Sequence, residues 1–277
     1  MTALGFDRAV APRALNSRRP GRALPLLRDG LRSLGFLLRG LLFVGLRYQC
    51  PCCDWRLRAF TAKRGILRPT ADGYCPRCNA KARHRRDWLY FQANTNLFSE
   101  PVKLLEVGPR WAFARRFQRM PNVDYVGLDR VRRGPEVTAI GDVTALPMPT
   151  GSFDAVVCIH VLEHVEDDRR ALAELYRVLK PGGWAIITVP IRLDRLTYED
   201  PAITAPEARA RAFGERGHVR RYGTDFLDRL RSAGFDVRLD RASEIPAAVQ
   251  QRCGLRRDEN IFHCHKPRPR PIGAGRT

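Results

Sequence analysis

The chain has 277 residues, of which 44% are hydrophobic, and its formal net charge is +20. This length suits one large domain with a sizeable core and one small module, and eight cysteines are too few for a disulfide-dense secreted scaffold. The charge is uneven, because residues 1–100 carry +13, residues 101–200 carry none and residues 201–277 carry +7. Basic flanks are typical of proteins that bind RNA, an anionic membrane surface or an acidic substrate, and a merely solvated Arg-rich surface is the alternative.

Residues 1–25 are rich in Arg, Pro and Ala without a structural period, which predicts a disordered basic arm. An amphipathic helix is predicted over residues 26–47, where leucines recur at helical spacing with arginines between them: Leu27, Leu31, Leu34, Leu38 and Leu42, with Arg28, Arg32 and Arg39. This helix either docks on the rest of the protein or lies on a membrane surface. It is short and interrupted by charge, and no signal cleavage site follows it, so we predict a cytoplasmic protein with peripheral membrane contact as an alternative.

Residues 48–86 contain two cysteine knuckles, Cys50-Pro-Cys-Cys53 and Cys75-Pro-Arg-Cys78. Each knuckle can point two thiolates at one ion, and the pair predicts a closed, structural zinc site with Cys50, Cys53, Cys75 and Cys78 as ligands. The proline that follows the first cysteine of both knuckles favours Cys53 over Cys52 as a ligand. Reduced structural cysteines and a mononuclear iron site are the alternatives. The basic run Lys81–Arg86 is a candidate phosphate contact.

Residues 87–98 predict a short linking helix, and strand and helix patterns alternate from Lys103 onward. The apolar strands are followed by polar residues at Glu106, at Asp129, at Asp142 and at His160, and a Pro-Gly-Gly turn at residues 181–183 ends the helix that comes next. Consecutive strand–helix–strand units predict a parallel α/β sheet. In such sheets ligands bind at the carboxyl ends of the strands, so these polar residues predict a binding crevice.

The run from residue 103 to residue 190 resembles the class I S-adenosylmethionine (SAM)-dependent methyltransferases of the type 11-like group, here preceded by a zinc ribbon. The resemblance implies a Rossmann-like seven-stranded sheet over residues 87–266, a flexible tail over residues 267–277, and SAM as methyl donor. It also implies the residues that bind SAM: Glu106, Gly108, Arg110, Asp129, Asp142, Val143 and His160. The family places further glycines where this chain has Arg110 and Ala112, and the Arg110 guanidinium is suited to the carboxylate of SAM.

An insertion at about residues 192–223 follows the fifth strand, and in the resembled family such insertions form the lid over the acceptor. Five polar or aromatic residues of this lid are candidate acceptor contacts, with lid salt bridges as the alternative: Tyr198, Glu199, Asp200, Arg220 and Tyr222. An oxygen acceptor needs a base, and histidine is suited to that role near neutral pH. His218 is the first candidate, followed by His160 and His164, and a purely structural role is the alternative for each.

The polar lid favours O-methylation of a saccharide or glycosylated metabolite. The order of knuckles, methyltransferase pattern and lid resembles a group of bacterial methyltransferases, and a mycofactocin-type oligosaccharide is one specific acceptor that this suggests. An RNA methyltransferase that grips phosphates with its knuckles and basic flanks is the second hypothesis. A non-catalytic adaptor is the third, since the glycine turn departs from the family pattern.

Overall fold

The computed structural model describes residues 23–63 and 66–269. Residues 1–22 of the predicted arm and residues 270–277 of the predicted tail lie outside that part of the chain. Within it, no helix has the length and apolarity needed to cross a membrane.

Residues 23–63 and 66–94 form two helices and two small antiparallel hairpins. Their bounds are α1 (Ala23–Leu41), β1 (Val44–Gln49), β2 (Arg56–Leu57), β3 (Phe60–Lys63), β4 (Ile66–Thr70) and α2 (Ala82–Asn94). The predicted helix over residues 26–47 therefore stops at Leu41, and the residues after it form a strand instead. Residues 44–49 pair with β2 as an antiparallel strand, and this strand leads directly into Cys50.

The central sheet has seven strands, which are β5 (Val102–Val107), β6 (Val123–Asp129), β7 (Ala139–Ile140), β8 (Phe153–Ile159), β9 (Leu179–Thr188), β12 (Asp236–Asp240) and β13 (Ile261–His265). Their order across the sheet is β12-β13-β9-β8-β5-β6-β7, and only β13 runs antiparallel to both of its neighbours. The first strand of this sheet along the chain, β5, thus lies in its interior, and later strands are added on both sides of it. This arrangement confirms the predicted Rossmann-like α/β fold, and its reversal between β5 and β8 creates a crevice at the strand ends.

Five more helices and one small hairpin complete the structure. They are α3 (Trp111–Phe117), α4 (Asp168–Val178), α5 (Pro206–Phe213), α6 (Phe226–Ser232), α7 (Ala247–Cys253), β10 (Tyr198–Glu199) and β11 (Arg220–Arg221). Strands β5 and β8 are buried along almost their whole length, as their continuous apolar sequences indicate. A short 3-10 turn, Leu162–His164, follows β8 and begins the region where the candidate site lies.

The knuckle module (residues 48–86) and the sheet share one hydrophobic core, to which the module contributes Leu57 and Phe60, α2 contributes Phe91, and the sheet contributes Leu104. Arg85 is fully buried beneath them, and its guanidinium donates to five backbone carbonyls, including those of the distant residues 253 and 254. The boundary proposed between residues 86 and 87 falls inside α2, whose side chains pack in the core shared with the module and the sheet. Module and sheet are therefore packed together as one unit.

Candidate active site

The two knuckles bring four thiols together. The Sγ atoms of Cys50 and Cys78 are 3.7 Å apart, and so are those of Cys53 and Cys75. Zinc–sulfur bonds of about 2.3 Å in a tetrahedron require sulfur–sulfur distances of about 3.8 Å, so the four residues fit a zinc ion. The neighbouring Cys52 is outside the group, because its thiol instead donates to the carbonyl of residue 84.

The turn after β5 is shaped by Glu106. The carboxylate is buried, accepts from the backbone N–H of Arg110 at 2.9 Å and from the hydroxyl of Tyr125 at 2.8 Å, and burial raises its pKa to about 7. Gly108 has φ of +62°, and a Cβ there would lie 2.9 Å from Cγ2 of Val161. Gly108 is therefore required by the turn, and both oxygens of Glu106 are engaged within the protein.

Arg110 lies where the resembled family has a second glycine. Its guanidinium donates to the carbonyl of His160 at 3.3 Å, and the carboxylates of Glu106, Glu163 and Asp129 act on it electrostatically. Its Nε is buried and has no hydrogen-bond partner among the described residues. A buried guanidinium N–H without a partner at a strand end fits the carboxylate of an amino-acid ligand, and SAM carries such a group.

The acids after β6 and β7 lie on the same edge of the sheet. Asp129 ends β6 and remains partly exposed. Asp142 Oδ1 accepts from the backbone and the hydroxyl of Thr144, which holds the turn next to the buried Val143, and its Oδ2 is 3.5 Å from Nε of Arg130. The hydrogen bonds from Thr144 lower the pKa of Asp142, so it is ionised at neutral pH. This pair fits the ribose and adenine contacts predicted from the sequence.

His160 occupies the end of β8 in a left-handed conformation, with φ of +51°. Its Nδ1 is 3.0 Å from Oε1 of Glu163, and its Nε2 is 3.7 Å from Oε2 of Glu259. Burial lowers the pKa of His160, but the two carboxylates outweigh that effect and leave it raised. A strained residue held between two acids is typical of a functional position.

His164 and His218 meet beside the 3-10 turn. Their rings form an edge contact with centroids 4.8 Å apart, and Glu163 offers a carboxylate oxygen to the same group. The backbone N–H of residue 219 donates to the carbonyl of Glu163 at 2.9 Å, which fixes the lid against the turn. The structure therefore brings all three candidate histidines around one glutamate.

Two acids in this region were missed by the sequence analysis, Asp87 on α2 and Glu259 in the loop before β13. Asp87 is 1% exposed, and its Oδ2 has no hydrogen-bond partner in the part of the chain that is described. Burial, with the charge of Glu259 added to it, raises the pKa of Asp87 to about 7. The positive charges of His160 and Arg83 act in the opposite direction and lower the pKa of Asp87, but by less. A carboxyl that titrates near neutrality beside a candidate site can hold or accept a proton.

Three of the five predicted acceptor contacts belong to one network of ion pairs and hydrogen bonds, in which Arg220 and Tyr222 are buried and Glu199 is exposed. Arg220 donates to Glu199 at 2.7 Å, Arg229 bridges Glu199 and Asp168 at 2.9 Å each, and the Tyr222 hydroxyl donates to Asp168 at 2.8 Å. Tyr222 is fully buried. These contacts attach the lid to the sheet, as in the salt-bridge alternative, while Glu199 and Arg220 also line the cleft that contains Asp200.

The other two predicted contacts, Tyr198 and Asp200, lie outside this network and are at least partly exposed. Asp200 lines a cleft of about 370 Å³ between the lid and the start of α4. The exposed ring of Tyr198 packs on Phe213, with ring centroids 5.6 Å apart. An acceptor group that enters this cleft would meet Asp200.

The basic run Lys81–Arg86 is largely internal. His84, Arg85 and Arg86 are buried, and Arg86 forms an ion pair with Asp240. Only Lys81 and Arg83 keep partial exposure. The run therefore stabilises the joint between module and sheet, and it offers few charges to phosphates.

Residues 114–187 match the family model described as a methyltransferase domain. Within those residues the chain is similar to methyltransferase domains. A demethylmenaquinone methyltransferase of Renibacterium salmoninarum is 47% identical over 57 residues, which are 20% of this chain and 24% of the relative. One of Deinococcus radiodurans is 33% identical over 117 residues, 37% of this chain and 48% of the relative.

Among solved structures, an S-adenosylmethionine-dependent methyltransferase from Mesorhizobium loti is 18% identical, with a TM-score of 0.48, and the alignment covers 65% of this chain and 97% of that one. The chain spans less than half the length of the two curated relatives it matches. The acceptor therefore has to be inferred from the chain's own residues.

Replacing Asp87 with asparagine is expected to change how the stability of the methyltransferase domain depends on pH. Because the folded pKa of about 7 lies above the ordinary 3.8, the wild type loses unfolding free energy as pH rises from about 4 to about 7. Asp87→Asn removes that loss and should be more stable at pH 8 by roughly 2–4 kcal/mol. Urea unfolding at pH 4.5 and pH 8 measures the difference. The exposed Asp124→Asn is the control, and an equal gain at both pH values for Asp87→Asn would contradict the assignment.

Proposed function

We propose that the protein is a SAM-dependent methyltransferase. The observation that carries the proposal is Arg110, whose buried, unpartnered Nε lies at the same sheet edge as Asp129 and Asp142. SAM, when bound, supplies an electrophilic methyl group on its sulfonium. Arg110 would hold the carboxylate of SAM, Asp129 its ribose hydroxyls, and the turn at Asp142 and Val143 its adenine.

We propose a hydroxyl oxygen as the acceptor atom. Methyl transfer from a sulfonium needs in-line placement of the acceptor, and an oxygen acceptor also has to lose a proton. His160, His164 and His218 are gathered around Glu163 at the end of β8, next to Arg110. This group supports removal of the hydroxyl proton beside the methyl donor.

A saccharide or glycosylated metabolite is the proposed acceptor class, with a mycofactocin-type oligosaccharide as the specific case. Its support is the polar cleft of about 370 Å³ along the lid, which Asp167, Arg169 and Asp200 line with charged groups. Such groups bind hydroxyl-rich ligands by hydrogen bonds.

A second candidate acceptor is a quinone-type lipid, because demethylmenaquinone methyltransferases are among the relatives. Exposed leucines on the outer side of α1 and just after it favour it, because four on the helix and one that follows it are 50 to 61% exposed: Leu31, Leu34, Leu38 and Leu41, and then Leu42. The opposite side docks on the protein, where Phe36 packs on Trp111 with ring centroids 4.8 Å apart. An apolar helix side on a basic protein is suited to an anionic membrane surface.

The test of the acceptor is incorporation of labelled methyl from SAM into fractionated bacterial extract. The proposal expects label in the oligosaccharide fraction. Label confined to the lipid fraction would favour the quinone-type acceptor, and label in RNA would favour the RNA hypothesis; both would overturn the saccharide assignment. An Asp129→Ala variant serves as the control for label that does not depend on the cofactor site.

Vesicle binding tests the exposed side of α1. Wild-type protein should sediment with phosphatidylglycerol vesicles, and Leu38→Asp with Leu42→Asp should weaken this at least about 100-fold, since two buried leucines are worth roughly 3–6 kcal/mol. Leu196→Asp, at an equally exposed leucine of the lid, should bind like the wild type. Unchanged sedimentation of the double variant would rule out α1 as the membrane contact.

A further inference from the structure

The group formed by Glu163, His164 and His218 has the composition of a metal site. One ligand atom from each residue lies within 4.8 Å of those of the other two. Metal bonds of about 2.1 Å in a tetrahedron require ligand atoms about 3.4 Å apart, so a bound ion would draw these three side chains closer together. Two imidazoles and one carboxylate form a common set for divalent transition metals, and they leave coordination positions open.

One carboxylate oxygen of Glu163 has no hydrogen-bond partner among the described residues and could bind a cation. Its Oε1 is already 3.0 Å from Nδ1 of His160, whereas its Oε2 is buried without a hydrogen-bond partner among the residues that the structure describes. The side chain is thus an oriented carboxylate with one unsatisfied oxygen, which is costly to bury unless a cation or donor meets it.

Both histidines are held through Nδ1. His164 Nδ1 is 2.9 Å from the carbonyl of Gly217, and His218 Nδ1 is 3.3 Å from the carbonyl of Phe213. A carbonyl only accepts, so each Nδ1 carries a proton, and in the neutral ring Nε2 is the nitrogen that can bind a metal ion. Metal-binding histidines are oriented by backbone carbonyls in the same way.

The surroundings favour a bound cation that remains open to solvent. A Cβ at Gly217 would lie 3.1 Å from Nδ1 of His164, so glycine permits the close approach that the hydrogen bond needs. His164 is exposed, and the exposed carboxylate of Glu215 lies 3.5 Å from Nε2 of His218. The site is therefore negative, reachable from solvent and attached to the lid.

We infer that Glu163, His164 and His218 form a binding site for a divalent transition-metal ion of the zinc or cobalt class, separate from the four cysteines. Its role rests on the proposed function: the ion would bind the acceptor hydroxyl and lower its pKa. The proton leaves to water, the oxygen forms a bond to the methyl carbon of SAM, and the sulfur–carbon bond breaks. His164 and His218 then act as ligands, and His160 positions Glu163.

Titration of zinc-loaded protein with Co²⁺, followed by calorimetry and absorption, tests the site. We expect one equivalent of Co²⁺ to bind with weak d–d bands and without a thiolate-to-cobalt charge-transfer band, because no sulfur is involved. His164→Ala, at an exposed position, and Glu163→Gln should each weaken binding at least tenfold. His265→Ala, an exposed histidine of β13, should bind like the wild type.

Three results would overturn the inference: no bound Co²⁺, a charge-transfer band that reports exchange into the cysteines, or equal binding by wild type and the Glu163→Gln and His164→Ala variants. Zinc content and circular dichroism verify that each variant is folded. No SAM or acceptor is present in this titration. A failure of the metal site therefore leaves the methyltransferase proposal intact, and a failure of methyl transfer leaves the metal site intact.

Discussion

Replacing Cys78 with serine is expected to remove the knuckle zinc and to destabilise the whole described structure. Structural zinc sites contribute folding free energy directly, with apparent binding energies of about 10–16 kcal/mol in small zinc modules. Because the knuckle module shares its core with the sheet, we expect a loss of at least about 3 kcal/mol of unfolding free energy. Metal analysis and thermal unfolding of the purified variant measure both effects.

Cys52 provides a matched control inside the same knuckle. Its thiol makes one weak hydrogen bond, to the carbonyl of residue 84 at 3.4 Å, and belongs to neither sulfur pair. Cys52→Ser should keep its zinc and change the unfolding free energy by less than about 1.5 kcal/mol. If Cys78→Ser kept zinc as well as Cys52→Ser does, the four-cysteine site would be wrong.

Replacing Arg110 with alanine is expected to weaken SAM binding by roughly 10- to 150-fold. This corresponds to the 1.5–3 kcal/mol typical of a hydrogen bond to a charged group. The reason is the buried Nε, which has no partner in the described part of the protein and lies next to the end of β8. Calorimetric titration with SAM measures the change.

The control for this prediction is Arg119→Ala, an exposed arginine just beyond α3. It removes the same charge from the same neighbourhood without touching the turn after β5. We expect its SAM affinity to equal that of the wild type. Equal affinities for all three proteins would show that Arg110 does not bind the carboxylate of SAM.

The four-cysteine cluster and the strand ends could be predicted from the sequence because their signals are local. The Cys-Pro-x-Cys spacing specifies a knuckle by itself, and the four Sγ atoms meet as that spacing requires. Asp129 follows an apolar run directly, so its place at the crevice edge follows from the alternation of strands and helices.

The charged groups around the site could not be predicted in this way. Asp87 lies on a helix whose inner side also carries His84 and Arg85, so no hydrophobic period marks that side as buried. Glu259 reaches His160 only because β13 folds back beside β9. In a sequence, a buried ion pair such as Arg229 with Asp168 looks the same as a surface pair.

The end of α1 shows how tertiary pairing overrides a local pattern. The leucine spacing continues as far as Leu42, and the predicted helix therefore ran to residue 47. The helix ends earlier because residues 44–49 pair with β2 instead, and this hairpin encloses the first knuckle. The exposed leucines that remain on α1 are the part of the prediction that bears on membrane contact.

The central claim is that the edge formed by Arg110, Asp129 and Asp142 binds SAM. Calorimetric titration of SAM into folded, zinc-containing protein tests it most directly. The claim predicts one SAM per chain, with binding lost in Asp129→Ala while circular dichroism and zinc content stay unchanged. Absence of binding to the folded wild type would contradict the claim and would favour the adaptor hypothesis.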